Sequence, residues 1–106
     1  AVEHVKEIAA TEGVDSLFIG PNDLTADYGL PGQVTSEAVL RAVEKVAAAA
    51  ERAGKPAGII TGNKKLLEAC MQHGFTFYSV GSELDLLVKG AASKQTELRE
   101  MAAQIL

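Results

Sequence analysis

The sequence predicts an α/β fold with parallel strands, on three observations. Three short apolar runs, residues 14–19, 56–61 and 75–80, each lead into a small polar turn: Gly20-Pro21-Asn22, Gly62-Asn63 and Gly81-Ser82. Between the runs, apolar residues recur at helical spacing. The runs are close to continuously apolar, which suits strands buried on both faces of a parallel sheet. The β/α unit recurs at intervals of roughly 20–40 residues, as in a (β/α) barrel or an open doubly wound sheet.

The elements follow in order. Val2, Val5, Ile8 and Ala9 mark an amphipathic helix over residues 1–12, stopped by Gly13. After the first strand, residues 22–33 lose periodicity, and Gly29, Pro31 and Gly32 mark a loop. A short helical turn around residues 24–28 fits there, with Asn22 or Asp23 as its cap. Thr35 or Ser36 then caps a clearer helix, with Glu37 at its positive end and Val39, Leu40, Val43, Val46, Ala47 and Ala50 as the buried stripe. Gly54 closes it. Asn63 caps a third helix whose apolar positions are Leu66, Leu67, Cys70 and Met71, ended by Gly74. Past Gly81-Ser82, one stripe of Leu84, Leu87 and Val88 is followed by another of Leu98, Met101, Ala102 and Ile105 beyond Gly90. The order read is α-β-α-β-α-β-α-α.

Composition bounds the function. With 106 residues the chain forms one domain and not two. Its apolar fraction of 47% and charged fraction of 23% are globular values. No apolar run approaches the roughly 20 residues of a membrane span, and the N-terminus lacks the basic-then-apolar order of a signal peptide. The chain starts without Met, which suits a fragment or a processed product. Net charge is −4 and the cations are scattered, with Lys64-Lys65 as the only basic pair, so nucleic acid is not the expected partner. The single cysteine, Cys70, excludes an internal disulfide and any CxxC site. These features fit the cytosol.

Right-handed β-α-β crossovers place all three strand ends on one side. That edge carries residues 20–23, 61–63 and 81–83. Asp23 is its most informative carboxylate, suited either to a hard divalent cation or to capping the short helix after it. The Gly20-Pro21-Asn22 turn and the Gly81-Ser82 turn suit an anion or a plain cap. His4 lies on a polar helix face, and His73 stands at a helix C-terminus where the dipole favours a cation. Cys70 falls on a core stripe. Ser16, Ser79 and Ser82 lack a nucleophile-elbow setting, and Tyr28 and Tyr78 read as packing residues. Three parallel strands with free edges make a poor independent unit, so either copies pair or the chain is the last part of a larger barrel; the second reading is preferred.

The run Val14-Asp15-Ser16-Leu17-Phe18-Ile19-Gly20-Pro21-Asn22-Asp23-Leu24-Thr25 resembles a signature of the HpcH/HpaI aldolase family. Ala53-Gly54-Lys55-Pro56-Ala57-Gly58-Ile59-Ile60 is similar to that family's next helix end and strand. His73-Gly74-Phe75-Thr76-Phe77-Tyr78-Ser79-Val80-Gly81-Ser82 is similar to its final strand. The resemblance implies the last three units of a TIM (β/α)8 barrel and a metal-dependent class II aldolase acting on pyruvate-type 2-oxo acids and an aldehyde. It implies Asp23 as one carboxylate ligand of a divalent metal (Mg²⁺ or Mn²⁺, or Co²⁺). It implies backbone around Gly20, Asn22 and Asp23 holding the oxo-acid carboxylate, and Ile60 lining the substrate pocket. It also implies a homo-oligomer with C-terminal helices exchanged between subunits; residues 91–106, with their own apolar stripe, suit that role, and a helix bundled onto the core is the plainer reading of them. Asn22 stands where many members have a small residue, and Glu83 where many have Asp. The family's second metal carboxylate, catalytic His and oxyanion-stabilising Arg lie upstream of the matched region, so the chain as it stands does not complete the site.

Two other readings follow: a non-catalytic truncated product acting only in folding or assembly, and a citrate-lyase-like enzyme acting on an acyl-CoA. The Gly-Pro-Asn-Asp-Leu form favours the aldolase.

Overall fold

The computed structural model describes residues 1–106. A single 3-10 turn, Val2–His4, runs into α1 (Val5–Ala10). Then come β1 (Leu17–Ile19), α2 (Pro21–Asp27), α3 (Glu37–Ala53), β2 (Ala57–Ile60), α4 (Lys64–Gln72), β3 (Phe77–Ser79) and α5 (Glu83–Ile105). The three strands form one parallel sheet in the order β1-β2-β3. Leu17 pairs with Ala57 and Ile19 with Ile59; Gly58 pairs with Phe77 and Ile60 with Ser79.

Side chains alternate across a strand, and the sheet is covered on one face. Leu17, Ile19, Ala57 and Ile59 point into a core shared with Val39, Val43, Val46 and Ala50 of α3, Leu66 and Cys70 of α4, and Val5 and Ala9 of α1. Leu66, Ile59, Val39 and Val43 are fully buried. The other face carries Phe18, Ile60 and Phe77, each about half exposed. Burial on both faces, expected from the apolar runs, is therefore absent within these residues. Consecutive strand order with helices on one face only is the arrangement of a barrel wall; a doubly wound sheet sets helices on both faces.

Three further expectations are corrected. The loop region 22–33 opens with a true helix, α2, because Pro21 at its first position presets the backbone for helix and its missing N–H costs nothing there. The two helical stripes after Ser82 are one 23-residue helix running unbroken through Gly90. A single interior glycine costs about 1 kcal/mol, which the hydrogen bonds on either side carry. Met71 is exposed, since it lies beyond the edge of the α4 stripe that Leu66 and Cys70 define. No residue of α5 is buried. This helix, about 34 Å long at 1.5 Å per residue, draws the molecule out to 64 × 27 × 22 Å.

Gly58 fixes the sheet's bare face. The rings of Phe18 and Phe77 meet edge-to-face over it, with centroids 5.1 Å apart and planes at 63°. A Cβ at Gly58 would lie 2.6 Å from the Phe77 carbonyl oxygen, 2.7 Å from Phe77 Cβ and 2.8 Å from Phe18 Cδ2. Two of these atoms cannot move without shifting β3 itself. Gly58→Ala should therefore destabilise the fold by about 1–3 kcal/mol. Urea denaturation checks this, and a stability equal to the parent chain's would show that β2 and β3 are not so closely apposed.

Candidate functional site

Parallel pairing sends the C-terminal ends of β1, β2 and β3 to one edge, and the segments leaving them enclose a cleft of about 760 Å³. Its walls are residues 20–23 after β1, 60–63 at the end of β2 and 79–82 at the end of β3. Gly32 and Val34 from the loop before α3, and Asp85 and Lys89 from α5, complete it. Gly20, Asn22, Asp23 and Ile60, the four residues singled out in the sequence, all lie in this cleft.

The β1 segment is built around α2. Gly20 is the N-cap residue and Pro21 the first helical one, so Asp23 occupies the first turn, where the helix dipole favours a carboxylate. No side chain caps α2. Neither Asn22 nor Asp23 takes the capping role open to it in the sequence, because the helix begins before them. Asp23 is exposed, and one of its carboxylate oxygens lies 3.7 Å from where a Cβ of Gly20 would stand. The carboxylate is thus folded back over the tip of β1. The first backbone bond closing the turn runs from Leu24 N–H to the Gly20 carbonyl at 3.0 Å. The N–H groups of Asn22 and Asp23 precede it and stay free of the ladder.

Thr25, a residue to which the sequence assigned no role, holds this turn in place. It is fully buried; its hydroxyl donates to the Asn22 carbonyl at 2.9 Å and accepts from Gly32 N–H at 3.3 Å. One side chain thereby ties the α2 turn to the loop that forms the far wall. Burial of a threonine can be read from a sequence only once α2 is known to be a helix.

The other two segments are capped turns, as expected. Asn63 Oδ1 accepts from Leu66 N–H at 3.0 Å, and its own N–H donates to Thr61 Oγ1 at 3.1 Å. Ser82 Oγ accepts from Asp85 N–H at 3.1 Å. The Thr61 N–H donates to the Ser79 carbonyl at 3.0 Å, carrying the β2–β3 pairing into the cleft floor.

The remaining titratable groups lie elsewhere. His4 is solvated beside Glu7, and His73 Nε2 stands 3.9 Å from Glu44 Oε1 at the end of α4. Burial pushes the Cys70 thiol up to about 11, so it is a neutral core group at ordinary pH. Tyr78 is raised by burial and by Cys70, and donates to the Phe75 carbonyl at 2.6 Å. Tyr28 is raised by burial, Asp27 and Glu3. Ser79 and Ser82 line the cleft without a histidine, so no nucleophile and base are paired there. No three His, Cys, Asp or Glu side chains of the chain converge as a metal site.

A model of the family described as HpcH/HpaI aldolase/citrate lyase matches residues 1–90. The chain is 40% identical over 91 residues to a pyruvate aldolase of Rhizobium etli, covering 86% of this chain and 36% of that protein. It is 34% identical over 103 residues to a 4-hydroxy-2-oxovalerate aldolase of Novosphingobium aromaticivorans, covering 97% of this chain and 39% of that one. The crystal structure of a HpcH/HpaI aldolase/citrate lyase family protein from Burkholderia cenocepacia superposes with a TM-score of 0.85 at 34% identity, over 92% of this chain and 38% of that chain. The chain therefore spans somewhat more than a third of the length of the relatives it matches.

The Asn63 cap gives the cleft a direct test. Asn63→Ala removes the acceptor for Leu66 N–H and should cost about 1 kcal/mol, whereas Asn63→Asp keeps an acceptor and should cost far less. Denaturant midpoints of the two variants check it; equal losses would show that the cap does not hold the turn.

Proposed function

The chain belongs to the HpcH/HpaI aldolase/citrate lyase family, and on that premise we propose that residues 1–106 are one partial (β/α) barrel domain carrying part of a carbon–carbon lyase site. The reaction is the reversible aldol cleavage of a 4-hydroxy-2-oxo acid to pyruvate, or a similar 2-oxo acid, and an aldehyde. One observation carries this reading: Gly20, Asn22, Asp23 and Ile60 converge on a single cleft at the strand ends. The aldolase names of the relatives support it.

In this reading Asp23 is one ligand of a divalent cation, Mg²⁺ or Mn²⁺, or Co²⁺. An exposed carboxylate is an acceptor-only oxygen donor, which suits a hard cation. The donor set within residues 1–106 is incomplete, since no three ligating side chains converge; further ligands and the remaining catalytic groups come from polypeptide outside them. A cation so held supplies Lewis-acid polarisation of the 2-oxo group.

The chain's own residues bind and orient. The free N–H groups of Asn22 and Asp23 lie at the positive end of α2 in the cleft wall, where they donate to the oxo-acid carboxylate. Gly20 leaves room for it beside Asp23. Ile60, half exposed on the face opposite the core, supplies an apolar wall that keeps water from the reacting carbon. The exposed apolar residues of α5, including Leu98, Met101 and Ile105, pack against another subunit of a homo-oligomer. No helix of the chain is long and apolar enough to cross a membrane, and a cytoplasmic setting suits the assignment.

Asp23→Ala tests the reading in a full-length barrel that contains residues 1–106. Metal-dependent cleavage of 4-hydroxy-2-oxovalerate should fall at least about a hundredfold, with an unchanged circular dichroism spectrum. Retained turnover would remove Asp23 from the site. Cleavage of acyl-CoA esters but not of free hydroxy-oxo acids would reassign the reaction.

A further inference from the structure

Thr25 is the only buried polar residue of the chain. A core position filled for packing alone takes an apolar side chain, whereas a buried hydroxyl must find partners. The bond to the Asn22 carbonyl, three residues back, is of the local kind that threonines in helices commonly make. By itself that bond implies nothing. The second bond differs, because it reaches Gly32, seven residues on and outside α2. Leu30 N–H also donates to the Thr25 carbonyl at 2.8 Å. The loop is thus fastened to this one residue by side chain and backbone together. Asn22 and Gly32, which the hydroxyl joins, both line the cleft, and Thr25 does not.

The Asn22 carbonyl and the Asp23 N–H belong to one peptide unit. That unit is planar and trans, so its oxygen and its hydrogen point opposite ways. A hydroxyl that fixes the oxygen therefore also aims the N–H, which lies at the N-terminal end of α2. This helix needs such a hold. It has seven residues and no side-chain cap, and so short a helix is marginal without tertiary help. Its first turn, which presents the Asn22 and Asp23 amides, is the part that frays first. We propose that Thr25 is a positioning residue: its hydroxyl, acting through the Asn22–Asp23 peptide and the Gly32 wall, holds the Asp23 N–H in line for the carboxylate of the 2-oxo acid. The proposal rests on the aldol reading of the cleft. Thr25 acts on binding and not on the chemical step. The carboxylate it helps to seat is held alike in ground state and transition state, so loss of the hydroxyl raises KM and leaves kcat.

The test compares Thr25→Val and Thr25→Ser in a full-length barrel containing residues 1–106. Valine keeps the branched shape and removes both side-chain hydrogen bonds; serine keeps the hydroxyl and loses a buried methyl. With 4-hydroxy-2-oxovalerate, Thr25→Val should raise KM about tenfold with kcat retained. The dissociation constant of pyruvate, measured by calorimetry, should rise by the same factor. Thr25→Ser should keep both constants within about twofold of the parent, while its denaturant midpoint falls because of the cavity it leaves. A purely structural threonine would make affinity follow stability, the variant of lower midpoint losing more. That pattern overturns the proposal, as do parent-like constants in Thr25→Val or a fall in kcat at unchanged KM. Should Thr25→Val not fold, Thr25→Ala against Thr25→Ser isolates the hydroxyl, with the same gap in KM expected and its absence fatal to the proposal. If the parent protein neither cleaves the substrate nor binds pyruvate, the aldol reading has failed and the role of Thr25 fails with it. Cleavage by the parent without the expected response of the variants leaves that reading standing and removes only Thr25.

Discussion

Parallel pairing of three short strands is the constraint from which the rest of the structure follows. Because β1, β2 and β3 run the same way in adjacent register, every strand must be reached by a crossover, and the crossovers are the helices. The same rule collects three loop segments at one edge, although they are some 40 and 20 residues apart in the chain. The cleft is thus a product of topology, before any of its side chains is considered. Thr25, Asn63 and Ser82 then fix the three turns by hydrogen bonds to backbone.

The same sheet shows what the chain by itself leaves open. One face is a dense core around Ile59, Leu66, Val39 and Val43. The other is an apolar layer of Phe18, Ile60 and Phe77 facing solvent, with Gly58 allowing the two rings to close over β2. Exposed aromatic residues beside unpaired strand edges are what a barrel's remaining units would cover. Relatives more than twice as long as this chain agree with that geometry.

Much of the fold was legible in the sequence because its signals are local and strong. The stripe of Val39, Val43 and Val46, the caps at Asn63 and Ser82, and the positive-φ glycines Gly54 and Gly74 each have a one-to-one physical meaning. What escaped was set by context. α2 has only seven residues, too short for a periodic signal, and Pro21 reads equally well as a turn. Gly90 suggests a break that a long helix overrides. The apolar run of β1 looks buried on both sides, though here Phe18 faces outward. At the cleft, Gly20, Asn22, Asp23 and Ile60 were nameable from the strand-end turns and the resemblance. Lys89 was not, because it lies seven residues into a helix and only the direction of α5 brings it over the edge.

In the proposed reading the Asp23 carboxylate, folded over the tip of β1, faces a bound cation and does not merely stabilise α2. The most direct measurement is anomalous diffraction at the manganese edge from crystals of a full-length barrel containing residues 1–106, grown with Mn²⁺ and pyruvate. A single strong peak is expected within about 2.0–2.3 Å of an Asp23 oxygen, with the pyruvate carboxylate against the amides of Asn22 and Asp23. A peak elsewhere, with Asp23 pointing into solvent beside its helix, would contradict it.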